Sequence, residues 1–346
     1  MLYLTTRSKR DAYTAHRVLR EGRGPDGGLY IPLRKPAFSE EDIAEFARLS
    51  FNECIAHLLN LQFNTHLTGA YVDLALGRYS VRLKKLNQRI IMAECWHNTA
   101  WNFSGMVNAL LALLWDDSDG EPKGDWIYIA TGIAVLFGFY GELNRAGISN
   151  PDTPFDISFV SGDFVLPMSA WYARAWGLPV GNIVCSCNEN SELWNFICHG
   201  QLRMDTVAVN TAVPEADVAV PKNLERLISA VVGPEEALRY VACARLGQTY
   251  YCEGSLLSAI RKGLFVSVVS QPRMSETIPN VFGSIGYILS PYDAIAYAGL
   301  LDYRSRTGSN RYGLVFSHRA PILELDFTAK ALGTTAEELK TYIEKG

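Results

Sequence analysis

From about Trp126 onward the chain alternates short apolar runs with amphipathic ones. DISFVSG precedes DFVLPMSAWYARAWG, and NIVCSCN precedes SELWNFICHG. A short run rich in β-branched and aromatic residues, followed each time by a helical pattern, buries both its faces only inside a largely parallel sheet with helices on either side. The expected fold class is therefore α/β, an open and largely parallel sheet with flanking helices. With 346 residues, 48% of them hydrophobic, the chain can bury one large or two modest cores.

The first 90 residues follow a different rhythm. LYLTTRSKRDAYTAHRVLREGRGPDGGLYIP reads as a strand, a helix-like middle, a turn at GRGPDGG and a short strand ending at Pro32. FSEEDIAEFARLSFNECIAHLLNLQF has the three-and-four spacing of amphipathic helices, with Ser39 as candidate N-cap. MVNALLALLW (106–115) is too short to span a bilayer and suits a buried helix. WDDSDGEPKGD (115–125) is the most linker-like segment. TAEELKTYIEKG closes the chain as an amphipathic helix capped by Thr334 or Thr335. The organisation this implies is a strand and helical region over 1–90, a smaller unit over 91–150 and a large α/β unit over 151–346.

Charge narrows the partners. The 36 acidic and 32 basic residues are spread along the chain for a net charge of -4. No basic face draws it to nucleic acid, and no apolar leader marks it for secretion or membrane anchoring. A small-molecule substrate is expected, in the cytoplasm, where an odd count of seven cysteines suits a reducing medium. Cys185 and Cys187 share one face of an apolar strand and read as small core residues; no metal site is expected.

Several segments, in order, resemble threonine synthase of the bacterial and fungal type, a pyridoxal-phosphate enzyme of the tryptophan synthase β-subunit fold that makes threonine from O-phosphohomoserine. TTRS (5–8) and GRGPDGGLYIP (22–32) are similar to its opening. SGDFV (161–165) with the following helix and strand is similar to its SGNFG loop. GYILSPYDAIAYAGL (286–300) and YGLVFSHRAPILE (312–324) are similar to its late motifs. The resemblance implies a threonine-synthase-like fold with a helical N-terminal region.

The departures bear on function. The family's cofactor lysine lies in an HGPT-x-x-FKD motif; ECWHNTAWNFSGM (94–106) keeps His97, Thr99 and Phe103 but has Ser104 in the lysine's place. A serine hydroxyl cannot form an imine, and Lys84, Lys85 and Lys123 read as solvated surface charges. In the phosphate loop Asp163 replaces a neutral Asn and Val165 replaces a glycine, which sets a carboxylate against a dianion and a β-branched residue where special backbone angles are needed. Only about 55 residues separate Ser104 from Ser161, shorter than the family by roughly two βα units, so the 91–150 unit would be a truncated remnant of the cofactor-side domain. Residues 125–148 match either a lone helix before the SGDFV strand, which one excision explains, or a strand plus helix. Pyridoxal phosphate is expected to be lost.

The candidate catalytic residues are thus His97, Asp163 and Ser104, the first two with a plainer alternative: His97 capping or packing a helix start, Asp163 as a simple N-cap. Thr99, Trp101, Asn102, Ser161, Asn188, Asn190, Tyr287, Ser317, His318 and Arg319 are candidate substrate contacts; Trp96 and Tyr292 join the aromatic set that lines a pocket or fills core. Two functions stay open: a cofactor-independent enzyme doing acid–base or shape-driven elimination, addition, isomerisation or cyclisation, and a non-catalytic pseudoenzyme that binds a ligand or partner. A residual pyridoxal-phosphate lyase is the third. An apolar face uncovered by the excision would favour a homo-oligomer.

Overall fold

The N-terminal region is built around β1 (Leu2–Thr5), which pairs antiparallel with β2 (Ser8–Thr14) on one side and β3 (Tyr30–Pro32) on the other. The stretch expected to be helix after the first strand is strand as far as Thr14, and only α1 (Ala15–Arg20) is helical. Pairing with β1 decides this, with Tyr13 opposite Tyr3 and its ring edge-on to Tyr30 at 5.4 Å. The computed structural model describes residues 1–77, 82–97, 101–116, 118 and 120–345.

Three helices follow: α2 (Glu40–Phe46), α3 (Phe51–Phe63) and α4 (Gly69–Leu76). Ser39 caps α2 as expected, in a reciprocal box with Asp42, and Ser50 with Glu53 repeats the device four residues after α2 ends. Then come β4 (Arg82–Lys85), β5 (Ile90–Glu94), α5 (Phe103–Leu114) and α6 (Trp126–Arg145). Residues 126–145 are one unbroken helix, so the strand-plus-helix alternative for 125–148 is excluded. Its glycines are contact points rather than breaks. A Cβ on Gly132 would lie 2.3 Å from Ser169 Oγ, and one on Gly138 would lie 2.5 Å from the Phe51 ring. By length and composition α6 is apolar enough to cross a membrane, longer than the runs noted from sequence, but nearly all of it is buried inside the fold. α5 is not the fully buried helix expected: Phe103, Met106, Val107 and Leu110 are inside, while Leu111, Leu113 and Leu114 are only partly covered.

The rest of the chain alternates: β6 (Phe155–Val160), α7 (Val165–Ala175), β7 (Val180–Cys187), α8 (Glu192–His199), β8 (Gln201–Leu202), α9 (Leu224–Val231), α10 (Pro234–Leu246), β9 (Tyr250–Tyr251), α11 (Gly254–Arg261), β10 (Leu264–Val268), α12 (Gln271–Ile285), α13 (Pro291–Thr307), β11 (Gly313–Ser317), α14 (Leu325–Leu332) and α15 (Ala336–Lys345). The central sheet runs β10-β7-β6-β11-β5-β4; all its pairs are parallel except the edge pair β4–β5. This is the α/β architecture the alternation predicts. Ile91, Ala93, Ile157 and Phe316 face a core with α3, α6 and α7, while Ile90, Met92 and Val315 face a second core with α12 and α13. Among the described residues, only a loop and α6 stand between α5 and β6. Thr335 caps the last helix by accepting from Glu338 N at 3.2 Å.

Candidate functional site

β5, β6 and β11 end side by side, and beyond such ends of an open parallel sheet ligands bind. Past the parallel β5–β11 pair, Cys95 N donates to Ser317 O at 2.8 Å, and residues 101–103 add a short antiparallel ladder to 318–320, with Phe103 N donating to His318 O at 2.9 Å and Ala320 N to Trp101 O at 3.0 Å. These bonds hold both ends of the 95–103 segment, with Trp101 in the left-handed region at φ 58°. Thr99 lies outside the described residues. Two cavities flank the ladder.

The larger, of about 920 Å³, opens between β4, the segment after β5, the end of α12 and α15; Trp96, His97, Trp101 and Tyr287 are in its wall. Its acid–base group is a cluster of three. The carboxylate of Glu94, at the end of β5 and only 6% exposed, lies 2.5 Å from His97 Nε2 and accepts from the Tyr287 hydroxyl at 2.8 Å. Burial, reinforced by the Glu94 charge, pushes the Tyr287 phenol well above its usual range, so it stays a neutral donor. The His97 ring stacks on Trp96 at 4.0 Å, and Trp96 is pinned by its Nε1 donating to Ser317 Oγ at 3.0 Å. Arg82 and Lys84 of β4 also line the mouth of this cavity; both are exposed, Lys84 being the solvated charge expected of it.

The smaller cavity, of about 300 Å³, lies across the ladder between the starts of α5 and α7. It gathers Ser104, Ser161, Asp163 and His318, together with Tyr128, Tyr292 and Glu215. His318 and Arg319 both engage Glu215; the His318 hydrogen bond is the main cause of its carboxyl being held below the usual range, against burial. Arg319 also reaches Glu324 at 2.7 Å and lies over the Tyr292 ring at 5.3 Å. Asp163 is not the N-cap of α7. That position belongs to Phe164, left-handed at φ 63° with no side-chain cap, and Val165 is already helical, so the unusual angles fall on Gly162 and Phe164 rather than on Val165. The Asp163 carboxylate instead accepts from Lys222 N at 2.5 Å and pairs with its ammonium at 3.6 Å. Burial still raises its carboxyl above the ordinary value, Lys222 opposing.

His97 and Asp163 therefore serve different cavities. Asn188 and Asn190 line neither: they tie the loop after β8 to the end of β7, Asn188 Nδ2 donating to Asp217 Oδ1 at 2.6 Å and Asn190 Oδ1 accepting from Val209 N at 2.7 Å. Asn102 caps α5, its Oδ1 accepting from Gly105 N at 2.7 Å. Asn102→Ala is expected to lower stability by about 1 kcal/mol, read as a shift of the urea midpoint at constant slope. Sequence reasoning passed over Glu94, although a lone carboxylate ending the apolar run IIMAE was a visible signal. Glu215 and Tyr128 carried none.

Residues 2–73 match the family described as threonine synthase N terminus. The chain is 27% identical over 161 residues to human threonine synthase-like 1, a match covering 45% of this chain and 22% of that protein. It thus spans about a fifth of that relative's length. With the threonine synthase of Pseudomonas aeruginosa it shares 22% identity, covering 85% of this chain and 83% of the other. Its fold superimposes on the PLP-bound threonine synthase of Brucella melitensis with a TM-score of 0.83 at 17% identity, over 96% of this chain and 92% of that one. The yeast enzyme gives 0.82 at 16% identity, over 96% and 90%. The N-terminal match, the relatives and the shared fold agree: the chain is similar to threonine synthases in sequence at its N-terminus and in fold throughout.

Proposed function

We propose that this chain is a cofactor-independent enzyme that moves protons on a small molecule in the larger cavity. The observation that carries the reading is the Glu94 carboxylate held between His97 and Tyr287. Accepting from Nε2–H, Glu94 fixes the tautomer that leaves the Nδ1 lone pair for a ligand. When Nδ1 takes a proton from substrate carbon, the imidazolium charge forms against a buried carboxylate and is stabilised there; the reverse step returns the proton. Elimination, addition, isomerisation and cyclisation all contain such a transfer. All seven cysteines are free thiols, which suits a reducing cytoplasm.

The smaller cavity, where the family resemblance would seat pyridoxal phosphate, does not fit it. Among the described residues no lysine is in its wall, Ser104 supplies only a hydroxyl, and two carboxylates, Asp163 and Glu215, line the space a phosphate dianion would need. The Gly162 turn is closed from the other side too, with Glu215 O 3.2 Å from where a Cβ would stand. These features support a cofactor-free reading.

Two measurements test it. Protein incubated in D₂O with a metabolite extract should incorporate deuterium at carbon into at least one compound, and His97→Ala, with unchanged circular dichroism, should abolish it. No protein-dependent incorporation, or full retention in the variant, would remove the proposal. Spectra from 300 to 500 nm with added pyridoxal phosphate, followed by borohydride and mass analysis, should show no stable band and no lysine adduct.

A further inference from the structure

We infer that the larger cavity takes an aromatic acid, a flat ring system carrying a carboxylate, with the rings against Trp96 and Trp101 and the acid against Arg82 and Lys84. The inference rests on the larger cavity being the ligand site proposed above and adds the class of ligand. Its first support is register. In the antiparallel edge pair Arg82 stands opposite Glu94 and Lys84 opposite Met92. A strand alternates its faces, so both cations lie on the face that carries Glu94 and Met92, toward α12 and the cavity.

The second support is charge. Among the described residues Arg82 and Lys84 form no ion pair, and the buried Glu94 on the same face is already engaged by His97 and Tyr287. An anionic group entering beside β4 therefore meets two cations not committed to protein carboxylates, on flexible stems that can follow it, while Glu344, the other carboxylate in the wall, pairs with Lys340 of its own helix at 3.9 Å. The third is aromatic surface. Trp101 is 46% exposed and Tyr342 of α15 is 53% exposed, and the stacked rings of Trp96 and His97 line the same cavity. Large rings left open in a concave site supply apolar area at small entropic cost, and their flat faces select flat ligands. Positive charge on an edge strand also discourages sheet-to-sheet pairing, and that alternative predicts no ligand selectivity.

The experiment uses 2-naphthoate and its neutral isostere 2-naphthalenemethanol, with affinity read by tryptophan quenching and calorimetry on the full chain. The acid should bind about tenfold tighter than the alcohol or better. In the Arg82→Gln/Lys84→Gln variant that preference should vanish while the alcohol binds as before, which also shows the cavity intact. Equal affinities, no binding of either probe, or a preference untouched by the double substitution would overturn the inference. Acid selectivity without deuterium incorporation would keep the ligand class and remove the catalytic reading; incorporation without acid selectivity would do the reverse.

Discussion

Arg226→Met is expected to destabilise the fold by about 3–5 kcal/mol, because it strips one partner from a buried charge cluster and leaves the others in place. The Arg226 side chain is fully buried, yet every edge of its guanidinium is used. It donates to the Tyr30 carbonyl at 3.0 Å, to Asn223 Oδ1 and to Asp125 Oδ1 at 2.6 Å, and lies 5.6 Å from the Trp126 ring centroid. Four parts of the chain meet at this one group: β3, the segment before α9, the residue before α6, and α6 itself. Burial alone would raise the Asp125 carboxyl, but Arg226 and Lys222 outweigh it and hold the carboxyl below its usual range. Methionine fills much of the volume but leaves two acceptors without a donor and Asp125 with Lys222 alone, at 3.0 Å. Urea unfolding would read the loss as a lower midpoint at unchanged slope, and a change under about 1 kcal/mol would mean the cluster is solvated in a way its burial denies. A cycle with Asp125→Asn separates the pair from the backbone contacts, since the double variant should lose clearly less than the sum of the single ones. The same chain of contacts reaches the smaller cavity, because Lys222 bridges Asp125 and Asp163.

The legible parts of this fold were those where local chemistry and tertiary role agree. DISFV and NIVCSC became β6 and β7 since a doubly covered strand leaves an apolar run in the sequence, and Ser39 became a cap since capping is decided within four residues. β2 reads poorly from sequence because KRDAYT opens on three consecutive charged residues with no period-two alternation, and only its pairing with β1 makes it a strand. α6 stayed ambiguous because it is apolar on every side, and a helix enclosed all round has lost the periodicity that identifies it. The site was half legible for the same reason. Ser104, Ser161, Asp163 and His318 do meet, and Trp96, His97, Trp101 and Tyr287 do share a wall, but nothing in residue spacing says that the 101–103 ladder divides them into two cavities. Asp163 illustrates the limit: it stands two residues before the start of α7, and its partner, Lys222, is 59 residues away.

Stability should depend on Asp293 in the sense opposite to that of Asp125. Asp293 is 1% exposed, in the first turn of α13, where its carboxylate accepts from Ser290 N at 3.2 Å in a capping box. Burial pushes its carboxyl from 3.8 up to about 6, despite help for the ionised form from the Ser290 and Ser317 hydroxyls and from nearby His318. A carboxyl whose folded value is raised binds its proton more tightly folded than unfolded. Its contribution to stability is therefore fully present below about pH 4 and is lost as pH rises through 6. A shift of that size is worth about 3 kcal/mol between the two limits. Asp293→Asn keeps an acceptor for the cap and cannot ionise, so the stability difference, wild type minus variant, should fall by about that amount between pH 4 and pH 8. Subtracting the variant matters because Asp125 and Glu215, both held below their usual range, work the other way: what they contribute is present at neutral pH and lost on acidification. Urea midpoints for both proteins at half-unit pH steps would resolve the curve. A flat difference would mean that Asp293 ionises in the folded protein as readily as in the unfolded chain. A fall centred between pH 4 and 6 would identify a core carboxyl that the fold carries ionised at neutral pH at a cost in stability. Ser317 then gains a second role, since its hydroxyl also accepts the Trp96 indole that stacks on His97 and so joins this buried acid to the wall of the larger cavity.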